Sequence, residues 1–392
     1  MEWLGEIPSH WDLTIGMNVF RENKRDNKGM KEKTVLSLSY GQIIIKPEEK
    51  LVGLVPESFE TYQIVEPNDI IIRCTDLQND KTSLRTGLAK DKGIITSAYL
   101  NLKVINNHSA KFLHYYLHTL DITKVLYKFG SGLRQNLSFL DFKRLPIIDI
   151  PLSEQQKIAQ FLDDKTAKID QAVDLAEKQI ALLKEHKQIL IQNAVTRGLN
   201  PDVPLKDFGV EWIGKVPEHW EVKKIKAFAK INNGLDYKAV IAEEGYPVYG
   251  SGGQFAYANT YLYDGEAVLL GRKGTIDKPL YINDKFWTVD TMFYSVCNNK
   301  VSTKFFYYCC CSIIPFQYYS TSTALPSMTQ SDILNHKVTF PSLKEQYQIA
   351  DYLDIQTAKI DQAIALKTAH IEKLKEYKSV LINDVVTGKV RV

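Results

Sequence analysis

The sequence predicts an α+β fold with a pseudo-two-fold internal repeat, in which two globular domains of mixed α/β structure are joined by two long antiparallel coiled-coil helices. Three observations predict this fold. Short motifs recur in the two halves of the chain. Each half begins with short β-branched and aromatic runs that are broken by Gly, Asn, Asp and Pro, as is typical of small mixed domains. Each half then ends in a long stretch without Pro or Gly whose apolar residues follow a heptad.

Three segments show the repeat. WLGEIPSHW (3–11) returns as WIGKVPEHW (212–220), SAKFLHYY (109–116) returns as STKFFYYC (302–309), and TAKIDQA (166–172) recurs unchanged at 357–363. Residues 154–196 also align with 345–387 without a gap. The predicted parts of the chain are a first globular domain (1–150), a first long helix (151–199), a linker (200–209), a second globular domain (210–340) and a second long helix (341–392).

The two helical stretches are predicted to pair with each other. A seven-residue repeat held over this length favours a coiled coil over a core helix, and two such helices in one chain pair most simply in antiparallel orientation. The residues predicted to form the pairing rows are Leu162, Ile169, Val173, Ile180, Leu183, Leu190, Leu353, Ile360, Ile364, Ile371, Leu374 and Leu381.

Polar residues add two details to the helices. Ser153 with Gln156, and Ser342 with Glu345, predict capping boxes at the helix starts. Lys187 and Lys378 occupy equivalent positions in the apolar rows. Their ammonium groups could fix the register of the pair, or their stems could simply extend to solvent, and the sequence does not separate these two interpretations.

Composition limits the class of protein. Of the 392 residues 44% are hydrophobic and 24% are charged, which is typical of a globular chain. The net charge of +3 argues neither for nor against nucleic acid, so any basic surface must be local. The five cysteines form no CxxC pair, which predicts a reducing, cytoplasmic location. No apolar run approaches about 18 residues and the N-terminus does not resemble a signal peptide, so no membrane association is expected.

No set of residues predicts catalysis. GVEWIGKV (209–216) resembles a phosphate-binding loop, but Val216 stands where a Mg²⁺-binding hydroxyl is required. His114 and His118 have the spacing of zinc ligands without a third ligand nearby, so they are interpreted as packed helix residues. We therefore expect no catalytic residue, no metal site and no cofactor in this chain.

The remaining candidates are loops rich in Gly, polar and aromatic residues. Gly130-Ser131-Gly132 precedes Arg134-Gln135-Asn136, where small residues would let the backbone approach a phosphate, Arg would suit guanine and Gln or Asn would suit adenine. The second half carries Thr321, Thr323 and Ser327 at the aligned positions, and segment 21–33 is locally basic. Taken singly, each loop could also be an ordinary solvated loop.

These residues resemble the specificity subunit of type I restriction–modification enzymes. The resemblance rests on the two WxGxxPxHW motifs, the GSG turn before Arg134, PLSEQQKIAQFLDDKTAKIDQA (151–172) with its copy at 341–363, and the stretches 83–99, 247–257 and 268–277. It covers nearly the whole chain. One departure is that the second copy lacks the Gly-Ser-Gly and Arg, so the two halves need not contact their targets in the same way.

The resemblance implies a non-catalytic subunit whose two globular domains are target recognition domains, each reading one half of a split target in double-stranded DNA. Two methyltransferase subunits and ATP-dependent restriction subunits would be its partners, and S-adenosylmethionine, ATP and Mg²⁺ would bind to those partners. The residues expected to contact DNA are Ser37, Tyr40, Arg73, Ser83, Arg85, Gly130, Ser131, Gly132, Arg134, Gln135, Asn136, Tyr249, Gly250, Ser251, Gly252, Gln254, Arg272, Lys273, Thr275, Thr321, Thr323 and Ser327.

A second function stays open at this point. Doubled domains could also grip two copies of a protein partner, so that the chain would be a protein-binding scaffold that does not read DNA. Binding to random duplex libraries, with and without the methyltransferase, separates the two functions.

Overall fold

The structure, a computed structural model, describes residues 3–47, 49, 58–77, 84–129, 136–312, 314 and 326–392. The chain forms two compact units, which are Met1–Ala176 together with Ala369–Val392, and Glu177–Thr368. We call them unit 1 and unit 2. Each unit combines one globular domain with part of each long helix, so the boundaries of the units differ from those of the predicted domains.

The globular domain of unit 1 is built mostly from short antiparallel strands. Strands β2, β9, β6 and β7 form a four-stranded sheet in that order, and β1–β10, β3–β4 and β5–β8 form three separate pairs. The elements are β1 (Asp12–Ile15), β2 (Phe20–Glu22), β3 (Leu36–Ser39), β4 (Gln42–Ile45), β5 (Gln63–Val65), β6 (Ile70–Ile72), β7 (Thr86–Leu88), β8 (Gly93–Ile95), β9 (Leu100–Val104), α1 (Ala110–Ile122), α2 (Phe139–Arg144) and β10 (Pro146–Asp149).

The first long helix, α3, spans Leu152–Arg197 and has 46 residues. The predicted capping box of Ser153 with Gln156 is wrong. Ser153 already lies inside the first turn, and Pro151 occupies the position before the helix. Proline suits this position because its missing N–H costs no hydrogen bond there.

The globular domain of unit 2 contains a larger sheet. Seven strands follow the order β14-β20-β18-β19-β16-β17-β15, while β11–β12 and β13–β21 form two antiparallel pairs. The elements are β11 (Leu205–Asp207), β12 (Lys215–Pro217), β13 (Glu221–Lys224), β14 (Ala229–Asn233), β15 (Ile241–Ala242), β16 (Tyr246–Gly250), β17 (Gly253–Ala258), β18 (Tyr263–Gly271), β19 (Leu280–Thr288), β20 (Met292–Cys297), α4 (Thr303–Ser312), α5 (Gln330–Asn335) and β21 (Lys337–Phe340).

The second long helix, α6, spans Leu343–Val386 and has 44 residues. Its predicted capping box is confirmed. The Ser342 hydroxyl accepts from the Glu345 N–H at 3.3 Å, and the Glu345 carboxylate accepts from the Ser342 N–H at 3.2 Å. Two backbone donors at the start of α6 are thereby satisfied.

The long helices run antiparallel within unit 2, because Gln179 of α3 bonds Lys367 of α6 at 2.5 Å and Lys187 of α3 bonds Asp361 of α6 at 2.6 Å. Unit 1 contains the equivalent ion pair between Asp170 and Lys378 at 2.7 Å. Each half-buried lysine therefore meets the aspartate of the other copy's TAKIDQA motif. These reciprocal pairs favour a role in register over simple extension to solvent.

The rows of the predicted heptad avoid solvent. All twelve residues named above as the pairing rows are buried or half-buried, whereas most other positions in the middle of both helices are exposed. Leu162 and Leu353, at the same place in the two copies, are completely buried in the main cores of units 1 and 2.

The WxGxxPxHW motif joins each globular domain to the start of a long helix. In unit 1, Trp11 Nε1 donates to the Glu154 carboxylate at 3.0 Å, and His10 lies 3.4 Å from the same oxygen. In unit 2, Trp220 Nε1 donates to Glu345 at 3.1 Å and His219 donates at 2.8 Å. The strand that follows the motif pairs in both units with the strand that precedes the helix, β1 with β10 and β13 with β21.

The same tryptophans also contact the end of the other long helix. A Cβ atom at Gly388, just after α6, would lie 2.9 Å from the Trp11 ring, and one at Gly198, just after α3, would lie 3.1 Å from the Trp220 ring. Both glycines have positive φ, +76° and +77°, as is common where a helix ends. Each tryptophan thus holds the start of one helix beside the end of the other.

The second repeated motif ties α1 and α4 to the long helices. Tyr115 Oη donates to Asp163 at 2.8 Å in unit 1, and Tyr308 Oη donates to Asp354 at 2.7 Å in unit 2. The backbone N–H groups of Ser109 and Ser302 each donate at 2.8 Å to a buried glutamine of the adjoining long helix, Gln155 and Gln346. Lys111 and Lys304 pair with Asp163 and Asp354. The repeated residues therefore form the junction between domain and helix.

The histidines of α1 are packed residues. His114 and His118 lie with their ring centroids 6.3 Å apart, and burial lowers the pKa of both to about 4. The described residues contain no group of three His, Cys, Asp or Glu side chains that could hold a metal ion.

We predict that Glu345→Gln destabilises the chain in a pH-dependent way. Burial raises the pKa of Glu345, but the hydrogen bonds that it accepts, that from His219 foremost, outweigh burial and lower it from the ordinary 4.5 to about 2. The ionised carboxylate thus contributes stability above pH 4.5, and this contribution is lost as the pH falls toward 2. Glu345→Gln should lower the Tm at pH 7 by about 2–5 °C, and the difference should shrink between pH 4.5 and 2.

Thermal unfolding over a pH series checks this prediction. Glu376→Gln, an exposed position on the same helix, is the matched control and should leave the Tm unchanged. A Tm difference that is constant with pH, or an equal loss in the control, would contradict the role assigned to Glu345.

Candidate nucleic-acid interface

Three segments of unit 1 meet at the end of strand β6. The Arg73 N–H donates to the Arg85 carbonyl at 2.9 Å, and the Leu137 N–H, just before α2, donates to the Cys74 carbonyl at 2.9 Å. The turn of the β3–β4 hairpin reaches the same place, since a Cβ at Gly41 would lie 3.6 Å from the Leu84 side chain. Among the described residues, those after β6 (73–77), the hairpin turn and those just before α2 (136–138) therefore lie on one surface.

The hairpin turn presents an aromatic ring to solvent. Tyr40 is 89% exposed and has a φ of +46°, and Gly41 follows with a φ of +76°. Two successive residues with positive φ are typical of the two-residue I′ turn, whose twist matches the twist of the strands on either side. Arg73 is also exposed. The surface thus has a ring that could stack and a cation that could bind phosphate or guanine.

Arg85 requires a correction to the predicted DNA contacts. Its side chain is 1% exposed, and its guanidinium donates to the backbone carbonyls of Arg73 at 3.1 Å, Thr75 at 2.7 Å and Asp76 at 2.8 Å. A guanidinium buried in this way cannot reach DNA. It holds the backbone of the loop after β6 in place. Arg85 therefore acts on the surface by fixing the position of this loop.

Asn136 has a comparable structural contact at the edge of the surface. Its side-chain oxygen accepts the Asp76 N–H at 2.8 Å, while the residue remains exposed. Ser37 is half-buried on β3, on the outer face of the hairpin.

The same three kinds of segment meet in unit 2. The Met328 N–H, just before α5, donates to the Arg272 carbonyl at 2.9 Å, as Leu137 does to Cys74 in unit 1. Lys273 and Ser327 form an isolated bridge, and the turn of the β16–β17 hairpin places the Ser251 hydroxyl 3.2 Å from a Cβ built at Gly274. The loop after β18, the hairpin turn and the segment before α5 again form one surface.

The side chains on the unit 2 surface differ from those in unit 1. Arg272 lies with its guanidinium 5.7 Å from the centre of the Phe293 ring, and Lys273 is exposed. Gly252, Gln254 and Ser327 are exposed, whereas Ser251 and Thr275 are half-buried. Gly250 is buried at the base of the turn, and burial raises the pKa of the half-buried Tyr249. The framework recurs while the groups that it presents change.

Eight of the predicted contact residues lie outside the described residues, namely Ser83, Gly130, Ser131, Gly132, Arg134, Gln135, Thr321 and Thr323. The basic segment 21–33 is partly neutralised, since Arg25 pairs with Asp69 at 3.1 Å and with Glu66 at 3.3 Å. That segment therefore supplies less positive charge than its composition suggests.

Sequence reasoning missed Gln42, which follows the Tyr40–Gly41 turn and is exposed on the outer side of the hairpin. The sequence did contain a signal for this residue. Tyr-Gly between two apolar runs is compatible with a tight hairpin turn, and such a turn would place Gln42 beside the tip of the hairpin.

Among the described residues, no helix is long and apolar enough to cross a membrane.

The fold and the doubled surface define a chain made of two copies of one module, each combining a globular domain, whose sheet differs between the copies, with a junction to the long helices that recurs in both. A family model described as the type I restriction modification DNA specificity domain matches residues 19–184 and 217–376. These matches cover most of the chain, so the chain belongs to this family and the predicted resemblance is confirmed.

Relatives and solved structures agree with this family. The putative type I restriction enzyme MjaX specificity subunit of Methanocaldococcus jannaschii is 23% identical over 99% of this chain and 96% of the relative. The MjaVIII specificity subunit of the same organism is 26% identical over 84% of this chain and 80% of the relative.

Two solved structures share the fold. A chain from a structural study of complex assembly and conformational transition in the type I R-M system has a TM-score of 0.76 at 14% identity, covering 98% of this chain and 100% of that one. The HsdS subunit from Thermoanaerobacter tengcongensis has a TM-score of 0.55 at 14% identity, covering 98% of each chain. The predicted fold class is confirmed by these neighbours and by the helices described above.

We predict that Arg85→Ala lowers the Tm, whereas Arg73→Ala leaves it unchanged. Arg85→Ala removes buried, charge-assisted hydrogen bonds to three carbonyls, which should cost about 2–4 kcal/mol and lower the Tm. Arg73→Ala removes an exposed cation and should leave the Tm within about 1 °C. Thermal unfolding of both variants checks this, and a stable Arg85→Ala variant would contradict the structural role of that residue.

Proposed function

We propose that this chain is the DNA-reading subunit of a type I restriction–modification complex, in which each globular domain reads one half of a bipartite duplex target. The observation that carries the proposal is the surface that recurs in both units. It is built from the same three kinds of segment and closed by the same backbone hydrogen bond, yet it presents Tyr40 and Arg73 in one unit and Arg272 and Lys273 in the other. A shared framework with different exposed groups suits two readers of different sequences.

The long helices support the bipartite form of the target. At 1.5 Å per residue, a helix of 44 residues is about 66 Å long. This length corresponds to about 19 base pairs at 3.4 Å each, which limits the separation of the two half-sites. In the proposal the helices hold the two reading surfaces apart and leave the intervening base pairs unread.

The outward faces of the helices support docking of the methyltransferase subunits. Leu175, Leu182 and Ile189 recur every seven residues on α3 and are 59%, 62% and 48% exposed. Leu366 and Val380 take the equivalent positions of the first and last of these on α6, at 66% and 50% exposure. We call these five residues the outer row. They lie outside the pairing rows, and exposed apolar residues at heptad spacing are suited to bind further helices.

In this proposal the chain itself performs no reaction. The methyltransferase would bind S-adenosylmethionine and the restriction subunits would bind ATP and Mg²⁺, while this chain supplies the sequence preference. A bound complex would therefore act only where both half-sites occur.

The proposal predicts a bipartite methylation motif. When the chain is expressed with its methyltransferase, methylome sequencing should show two short half-sites of about three to five base pairs separated by unread positions. The purified chain alone should show no methyl transfer, ATP hydrolysis or DNA cleavage. A single contiguous motif, or methyl transfer by the chain free of other subunits, would overturn the proposal, and binding of the methyltransferase without any duplex preference would favour a protein scaffold.

Two neighbouring leucines separate docking from helix pairing. Leu182 belongs to the outer row, whereas Leu183 is half-buried in the pairing row. Leu182→Asp should leave the Tm within about 1–2 °C but reduce copurification of the methyltransferase at least tenfold. Leu183→Asp should lower the Tm as well, because an unpaired carboxylate enters the apolar seam. Copurification and thermal unfolding of both variants check this, and equal behaviour of the two would contradict the assignment of the outer row.

A further inference from the structure

The reading surface of each unit contains a β-hairpin with a glutamine next to its turn. In unit 1 the turn is Tyr40–Gly41, and Gln42 pairs across the hairpin with Ser39. In unit 2 the Gly250–Gly253 pair closes the turn, and Gln254 comes next, paired with Tyr249. The two hairpins differ in length and sequence, so this glutamine is not part of the repeated motifs.

Strand pairing places Gln42 on the outer face of its hairpin. Leu38 and Ile43 are opposite each other and pack on the small core beneath the hairpin. Since side chains alternate along a strand, the next pair, Ser39 and Gln42, points the other way. Gln42 is exposed, and its amide forms no hydrogen bond with the part of the chain that the structure describes. Both its donor and its acceptor are free to bind an external partner.

A β-bulge gives Gln254 a comparable place in unit 2. Val248 pairs with Ala256 but Tyr249 pairs with Gln254, so Phe255 is an extra residue on its strand. Phe255 packs edge-on against Tyr237, with ring centroids 5.1 Å apart. Bulges of this kind change the direction of neighbouring side chains. Gln254 is exposed beside the turn, and its amide also forms no hydrogen bond within the described residues.

The shape and chemistry of these hairpins match one edge of duplex DNA. The major groove is about 12 Å wide and admits a two-stranded β-ribbon, and a glutamine amide can bond N6 and N7 of adenine together. One exposed cation lies on the same surface as each hairpin, Arg73 in unit 1 and Lys273 in unit 2, where it could contact a flanking phosphate.

We infer that Gln42 and Gln254 are specificity-determining residues, each of which recognises one adenine in the major groove of its own half-site. This inference rests on the proposed function and adds the base that each unit reads through its hairpin. It assigns the two residues the same task although the sequences around them differ.

The test uses the full chain coexpressed with its methyltransferase. Gln42→Ala should relax the motif at one A·T position of one half-site, with a loss of discrimination of roughly 5- to 150-fold, and leave the other half-site unchanged. Gln254→Ala should relax one position of the other half-site only. Each variant is thus the control for the other, and an unchanged Tm shows that the exposed substitution has not disturbed the fold.

The outcomes separate this inference from the proposed function. If the wild-type chain directs a bipartite motif and both variants keep it, the inference is wrong and the proposed function stands. If the wild-type chain shows no sequence preference, the proposed function itself fails. Where a variant abolishes methylation, gel shifts measure its affinity for the wild-type target and for targets altered at single A·T positions. A loss of affinity that is equal for all of these duplexes would overturn the role in base readout.

Discussion

The junction between globular domain and long helix depends on one carboxylate in each unit. Glu154 and Glu345 stand in the first turn of their helices, where acidic groups are favoured by the helix dipole, and each accepts from the tryptophan of a WxGxxPxHW motif. The same indole packs against the glycine that ends the other helix. One aromatic side chain therefore fixes the positions of two antiparallel helix ends and of the first strand of the domain. The remaining contacts of the unit form next to these fixed elements.

This junction explains why the residues repeated between the halves are not those of the surface at the ends of β6 and β18. The second motif contributes a tyrosine, a lysine and a serine to the junction. In both units these residues form the same few hydrogen bonds with a glutamine and an aspartate of α3 or α6. The surface beyond β6 and β18 is closed in both units by a backbone hydrogen bond, and in unit 1 the side chains of Arg85 and Asn136 add bonds to the loop after β6. Because the bond that recurs in both units does not depend on side-chain identity, other exposed residues there can differ without loss of the framework.

The sequence alone predicts the features that come from repetition and periodicity. The heptad places Leu162 and Leu353 in the seam, and the repeat of TAKIDQA suggests equal roles for Asp170 and Asp361, although their lysine partners emerge only from the register of the folded pair. The sequence alone could not show that Arg85 is buried. Arginines are mostly exposed, and here the three carbonyls that hold Arg85 lie nine to twelve residues earlier in the sequence. Gln42 was missed because Tyr40–Gly41 was not interpreted as a two-residue turn, although a tyrosine with positive φ is a weaker signal for such a turn than asparagine or aspartate.

The two units also differ in the size of their sheets, which shows that the junction constrains only a small part of each globular domain. Unit 1 carries a four-stranded sheet with separate strand pairs, and unit 2 carries a seven-stranded sheet that includes its hairpin. In both, however, one strand, β6 or β18, ends at the surface that includes the hairpin turn, and one pair, β1–β10 or β13–β21, adjoins the helix. A domain that keeps these two connections can therefore change the rest of its sheet, because the stability of the junction and the chemistry of the surface rest on separate sets of residues.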